Sequence, residues 1–151
     1  MNFPEAIRSG FRKYATFAGR AVRSEYWYWA LFVAIVGSTA RVVDAAVIGY
    51  RVGPLHIIWD FAILLPSYAV AVRRLHDTDR SGWWLLALVA AFALILLLSV
   101  VTGMLFLSGI GVIAGAGVVL YLFSLPGTPG PNRYGPDPFG PDGHVSPPPT
   151  A

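Results

Sequence analysis

From Trp83 to Phe123 the chain runs for about forty residues without a single charge. One helix of that length would reach about 60 Å, twice the ~30 Å hydrocarbon layer of a bilayer. The run therefore reads as two crossings, with Thr102-Gly103 as the turn between them. Two earlier apolar stretches complete a set of spans at about 27–48, 55–72, 83–101 and 104–123. With 56% hydrophobic and only 13% charged residues, against roughly 25% charged in soluble domains, the chain belongs to the membrane class. Its mean hydropathy of +0.61 agrees. The predicted architecture is an all-α integral membrane protein, with an N-terminal amphipathic interfacial helix followed by a four-helix transmembrane bundle.

Four regions follow. Residues 1–25 form the interfacial segment, because Phe3, Ile7, Phe11, Tyr14 and Ala18 recur at helical spacing, with Arg8, Arg12 and Lys13 turned away from them. A soluble-type helix packed on the protein's own core is the competing reading. Residues 26–125 are the membrane domain, 126–138 an ordered cytoplasmic motif, and 139–151 a disordered, proline-rich tail. A cleaved signal peptide does not fit: the first apolar run starts only near Tyr26 and more spans follow it, so it reads as an uncleaved anchor.

Basic residues set the orientation. Four crossings with a cytoplasmic N-terminus put Arg8, Arg12, Lys13, Arg20, Arg23, Arg73, Arg74, Arg80 and Arg133 inside, nine of the eleven lysines and arginines. Trp27, Trp29, Trp83, Trp84 and Tyr121 fall at the inner interface, Tyr50 and Trp59 at the outer. Both termini are thus expected in the cytoplasm. The net charge of +3 is explained by this orientation, and no nucleic-acid partner is implied. The chain has no cysteine, which excludes disulfides, thiolate catalysis, iron–sulfur clusters and cysteine zinc sites.

The polar residues fall in two clusters. RRLHDTDRSGWW (73–84) joins the second and third spans, with Asp77-Thr78-Asp79 as turn formers and Asp79 or Ser81 as a cap for the next helix. His76 and Asp77, adjacent in sequence and without a second histidine nearby, do not make a metal site. The same face receives Arg20, Arg23 and Glu25. Glu25 is expected to hold one guanidinium of Arg73 or Arg74, leaving the other free to grip phosphate, with lipid headgroups the nearest source. The second cluster lies toward the outer side: Arg41 and Asp44 are spaced to pair on one helix face, as are His56 and Asp60. Mutual ion pairing or a proton or ion path are the two readings of that set. Pro66 should leave a carbonyl unpartnered and kink the second span. In the fourth span Gly111 and Gly115 have the spacing that lets helix backbones approach, pointing to a homo-oligomer or a membrane-protein partner. No strand or charge accompanies those glycines, so a nucleotide loop is a poor reading.

Taken together, GRAVRSEYW (19–27), RRLHDTDRSGWW (73–84) and PGTPGPNRYGPDP (126–138) resemble the bacterial domain-of-unknown-function 805 family of small inner-membrane proteins. The likeness covers about residues 10 to 138. The family's characteristic positions map onto Gly19, Arg20, Arg23, Glu25, Tyr26 and Trp27, then Arg73, Arg74, Leu75, His76 and Asp77. The last group is Gly127, Thr128, Asn132, Tyr134, Gly135, Pro136, Asp137 and Pro138. Family members often carry a shorter apolar run after the tryptophan pair, and the longer one here favours four crossings. The resemblance implies a bacterial inner membrane and no activity.

Three function classes follow. The first is a non-enzymatic module whose basic cytoplasmic face binds anionic lipid headgroups or a protein partner. The second is a transporter or channel subunit using Arg41, Asp44, His56 and Asp60. The third is an enzyme acting on a membrane-bound phosphate substrate through His76 and its acidic neighbours. The first is preferred, with no catalytic residue and no cofactor or metal. Its cytoplasmic-face motif is Arg20, Arg23, Glu25, Arg73, Arg74, His76, Asp77, Asn132, Tyr134 and Asp137.

Overall fold

A computed structural model describes residues 1–47, 49 and 53–139. It has five helices and, among the described residues, no strand: α1 (Phe3–Arg12), α2 (Arg23–Val47), α3 (Pro54–Asp77), α4 (Trp83–Thr102) and α5 (Phe106–Ser124). The last four are long and apolar enough to cross a membrane. Gly103 ends α4 in the left-handed region at φ 69°, the turn that the uncharged run predicts. The helix ends differ from the sequence reading. α2 starts at Arg23, and α3 continues through Asp77 instead of stopping at Val72. Arg73-Arg74-Leu75-His76-Asp77 is therefore helix, and only residues 78–82 connect it to α4. The charges can stay helical because they are paired across the fold. Residues 140–151, most of the expected disordered tail, lie outside the described residues, as do Tyr50 and Arg51.

α1 begins with a reciprocal cap. Asn2 Oδ1 accepts from Glu5 N at 3.0 Å, and Glu5 Oε2 accepts from Asn2 N at 2.9 Å. The helix stops at Arg12 and does not reach Ala18. Beyond it the chain forms a strap that crosses the end of α3, where Ala21 N donates to Arg73 O at 3.0 Å. Ala6, Ser9 and Gly10 are buried, and Gly10 lies so close to Trp29 that an added Cβ would meet its ring at 2.3 Å. α1 thus packs on the protein's own core, while Arg8 and Arg12 stay exposed.

The strap also resolves the proline. Pro66 lies inside an otherwise continuous α3 and cannot donate to the carbonyl of Ala62 one turn earlier. The Tyr14 hydroxyl donates to that carbonyl instead. Tyr14→Phe should leave it unpaired and cost about 1–3 kcal/mol. Thermal unfolding in nanodiscs measures this. In a Pro66→Ala background the helix supplies its own bond, so the penalty should vanish. An equal loss in both backgrounds refutes the repair.

α2 and α3 lie antiparallel along their length. Trp29 Nε1 donates to Ser67 Oγ at 3.1 Å, and Phe32 meets Trp59 edge-on at 5.6 Å. α4 and α5 form a second hairpin in which Gly111 sits against Ile95. The two hairpins meet mainly near one end, where Tyr26 stacks on Phe123 at 4.3 Å beside Ala71, Leu75, Leu85, Leu88, Val119 and Leu122. The four long helices are thus arranged as two hairpins whose mutual contacts concentrate at one end, hereafter the motif end. Gly111 is occupied within its own hairpin, whereas none of the described residues approaches Gly115.

Candidate functional site

At the motif end, the strap, α3 and the segment after α5 converge on Asp77, which is buried. Its Oδ1 receives Arg20 Nε at 3.0 Å, and its Oδ2 receives Arg74 Nη1. Both arginines spend their remaining donors on backbone carbonyls. Arg20 reaches Gly130 O at 2.6 Å and Thr128 O at 2.5 Å. Arg74 reaches Phe123 O at 3.2 Å and, more closely, Leu125 O. Arg23 adds its Nε to Leu125 O at 2.9 Å. The last turn of α5 has no basic residue of its own, so arginines from α2 and α3 satisfy its terminal carbonyls and favour the negative end of its dipole.

The segment after α5 returns the service to α3. Thr128 N and Oγ1 donate to Asp77 O at 2.8 and 3.1 Å. Asn132 Nδ2 donates to His76 O at 2.9 Å. Asn132 and Gly135 pair their backbones at 3.0 Å in both directions, and Asp137 Oδ2 accepts from Gly130 N at 2.7 Å. Gly127 passes so near Asp77 that a Cβ there would fall 2.3 Å from the carboxylate. The Tyr134 ring stacks on His76 at 3.8 Å, 3° from parallel, and His76 Nδ1 lies 3.2 Å from Gly19 O. A carbonyl only accepts, so Nδ1 carries the proton in that contact.

A second buried pair lies where α1, α2 and α3 meet. Glu25 Oε1 accepts from Arg73 Nη2 at 3.2 Å and from Ser9 Oγ at 2.9 Å. Arg73 is fully buried, and its Nε and Nη1 have no partner among the described residues. Lys13 sits nearby, where burial pushes its ammonium below the ordinary lysine pKa and the Glu25 carboxylate pulls it back up.

All ten motif residues named from the sequence thus fall in one place. The expected free guanidinium does not exist: Glu25 holds Arg73, Asp77 and three backbone carbonyls hold Arg74, and both residues are 0% exposed. Asp79 does not cap α4. It pairs at the surface with Arg133, 3.2 Å away, and Ser81 Oγ accepts from Trp83 N at 3.3 Å. Sequence reasoning missed Ser9 and Tyr14. Ser9 was visible as a polar residue on the inner face of α1, whereas nothing in the sequence linked Tyr14 to a site 48 residues away.

At the far end, Arg41 and Asp44 do not pair. The Asp44 carboxylate is fully buried and accepts from His56 N at 2.9 Å and Leu55 N at 3.3 Å. It caps α3 from outside, because the N-cap residue is Gly53, which has no side chain to do so. Arg41 Nε instead lies 2.9 Å from His56 Nε2, and His56 Nε2 lies 3.2 Å from Asp60 Oδ2. Asp44→Ala should therefore cost about 1–2 kcal/mol as a lost cap. Adding Arg41→Gln should not rescue it, because the two are not partners. Thermal unfolding of the single and double variants decides; recovery in the double variant would restore the ion pair. Among the described residues no three histidine or carboxylate side chains converge as a metal site.

The fold and these buried termini define a multi-pass, all-helical membrane protein. The chain belongs to the family described as protein of unknown function DUF805, whose model matches residues 14–136. It is similar to inner membrane protein YhaI of Escherichia coli K12, 38% identical over 130 residues that span 86% of this chain and 92% of that one. It is also similar to inner membrane protein YhaH of the same organism, 35% identical over 130 residues that span 84% and 90%. No solved structure matches the chain.

Proposed function

We propose that the protein is a non-enzymatic inner-membrane module whose motif end is architectural, presenting a basic platform to the anionic cytoplasmic leaflet. One observation carries this reading: Arg20, Arg73 and Arg74 of the motif are buried and paired with carboxylates, and Arg20 and Arg74 hold backbone carbonyls as well. A site built to turn over a phosphate substrate needs donors left for that substrate. Besides Arg23, the exposed cations on this side are chiefly Arg8 and Arg12 on α1, beside exposed Phe11 and Tyr14. Cations next to aromatic side chains suit the headgroup region. Among the described residues Arg41 is the lone cation at the far end, which supports a cytoplasmic motif end by the positive-inside rule.

The test is thermal stability in nanodiscs of neutral and of anionic lipid. A ligand that binds only the folded state stabilises it, and each surface arginine contributes about 1 kcal/mol against an anionic leaflet. The wild type should be stabilised by anionic lipid, by about 2 kcal/mol more than Arg8→Gln/Arg12→Gln. An identical lipid response in that variant refutes the platform.

A further inference from the structure

Between the two hairpins lies a groove of about 340 Å³, lined mainly by apolar side chains of α2 and α3 and closed on one side by Leu85 at the start of α4. It exists because α2 presents Ala30 and Ala34, and α3 presents Ala71, where larger side chains would close the seam. Tyr26, held by its stack on Phe123, forms the end nearest the motif. The polar groups within it are largely spent on each other, since the Trp29 indole donates to Ser67. We propose that this groove binds one acyl chain of a phospholipid whose phosphate is held by Arg23.

Three observations select that occupant. The first is depth. From Tyr26 to Ala34 the groove runs about 12 Å along α2, close to the ~15 Å of one leaflet's hydrocarbon. The second is size. Two turns of a transmembrane helix with its side chains occupy roughly 1,000 Å³, so the groove takes a narrow chain and not a neighbouring helix. The third is charge. Arg23 lies one turn before Tyr26 and shares the groove's stripe of α2, at the level of the headgroups. Its side chain is exposed, and only its Nε is committed, to Leu125 O. The two terminal nitrogens make no hydrogen bond among the described residues, and they present the planar edge that suits a phosphate. Arg20, Arg73 and Arg74 offer no such edge to a lipid, being buried.

This site is separate from the platform on α1, so Arg8→Gln/Arg12→Gln should leave it intact. The experiment is native mass spectrometry of the full chain, released from nanodiscs containing phosphatidylglycerol, counting lipid retained per chain. The wild type should retain one. Ala30→Leu/Ala34→Leu, which fills the groove, should lower retention about tenfold. Arg23→Gln should lower it several-fold. Should the filled variant not fold, the wild type still decides: phosphatidylglycerol with a photoactivatable acyl chain should crosslink to the peptides holding Ala30 and Ala71. Unchanged retention in the filled variant, or crosslinks confined to α4 and α5, overturns the proposal. So does a dimer that becomes monomeric when the groove is filled, which would make a second copy the occupant.

Discussion

Asp77→Asn is expected to destabilise the protein by about 3–5 kcal/mol, the cost of breaking a buried ion pair from one side. The substitution keeps the shape of the side chain but removes the charge that faces Arg20 and Arg74, both buried. Those cations cannot reach water without releasing the carbonyls of residues 123, 125, 128 and 130. The end of α5 and the segment after it should therefore come loose together. Asp79→Asn is the control: its pair with Arg133 is half exposed and worth about 0–1 kcal/mol. Thermal unfolding of both variants in nanodiscs reads the difference. Equal small losses would show that Asp77 is not the centre of the junction.

The second large effect concerns Glu25. Arg73 is buried with a single carboxylate near it, and two of its nitrogens already lack partners. Glu25→Leu leaves that cation uncompensated and should also cost about 3–5 kcal/mol. Glu25→Leu/Arg73→Met replaces the pair by apolar groups and should recover most of the loss, since a buried pair is commonly no better than well-packed apolar residues. The outcome that contradicts this account is a double variant as unstable as the sum of its singles. The guanidinium of Arg73 would then have a role beyond its carboxylate.

The crossings were legible in the sequence because a bilayer imposes a length and a polarity that no tertiary contact overrides. The grouping of Arg20, Glu25, Arg73, Asp77 and Asn132 was legible too, because four crossings bring all three motifs to one side. Burial was not. An arginine at the edge of an apolar run looks the same whether it snorkels to water or turns inward to a helix end. What turns Arg74 inward is the set of carbonyls at the end of α5, 49 residues away. Asp44 misled for a related reason. Its spacing from Arg41 suits a local pair, but the bare N-terminus after Gly53 offers two N–H groups. The end of α1 was misread because Tyr14 keeps helical spacing while its hydroxyl serves α3.

Residues 126–138 are docked on the end of α3 as part of the fold. Backbone hydrogen exchange of that segment, with the full chain in nanodiscs, tests it directly. A proline- and glycine-rich peptide free in water exchanges at once, whereas amides in stable hydrogen bonds exchange only when the structure opens. Thr128, Gly130, Asn132 and Gly135 donate to defined acceptors and should be slow in the wild type and fast in Asp77→Asn. Complete exchange of the segment at the earliest time in the wild type would contradict the account.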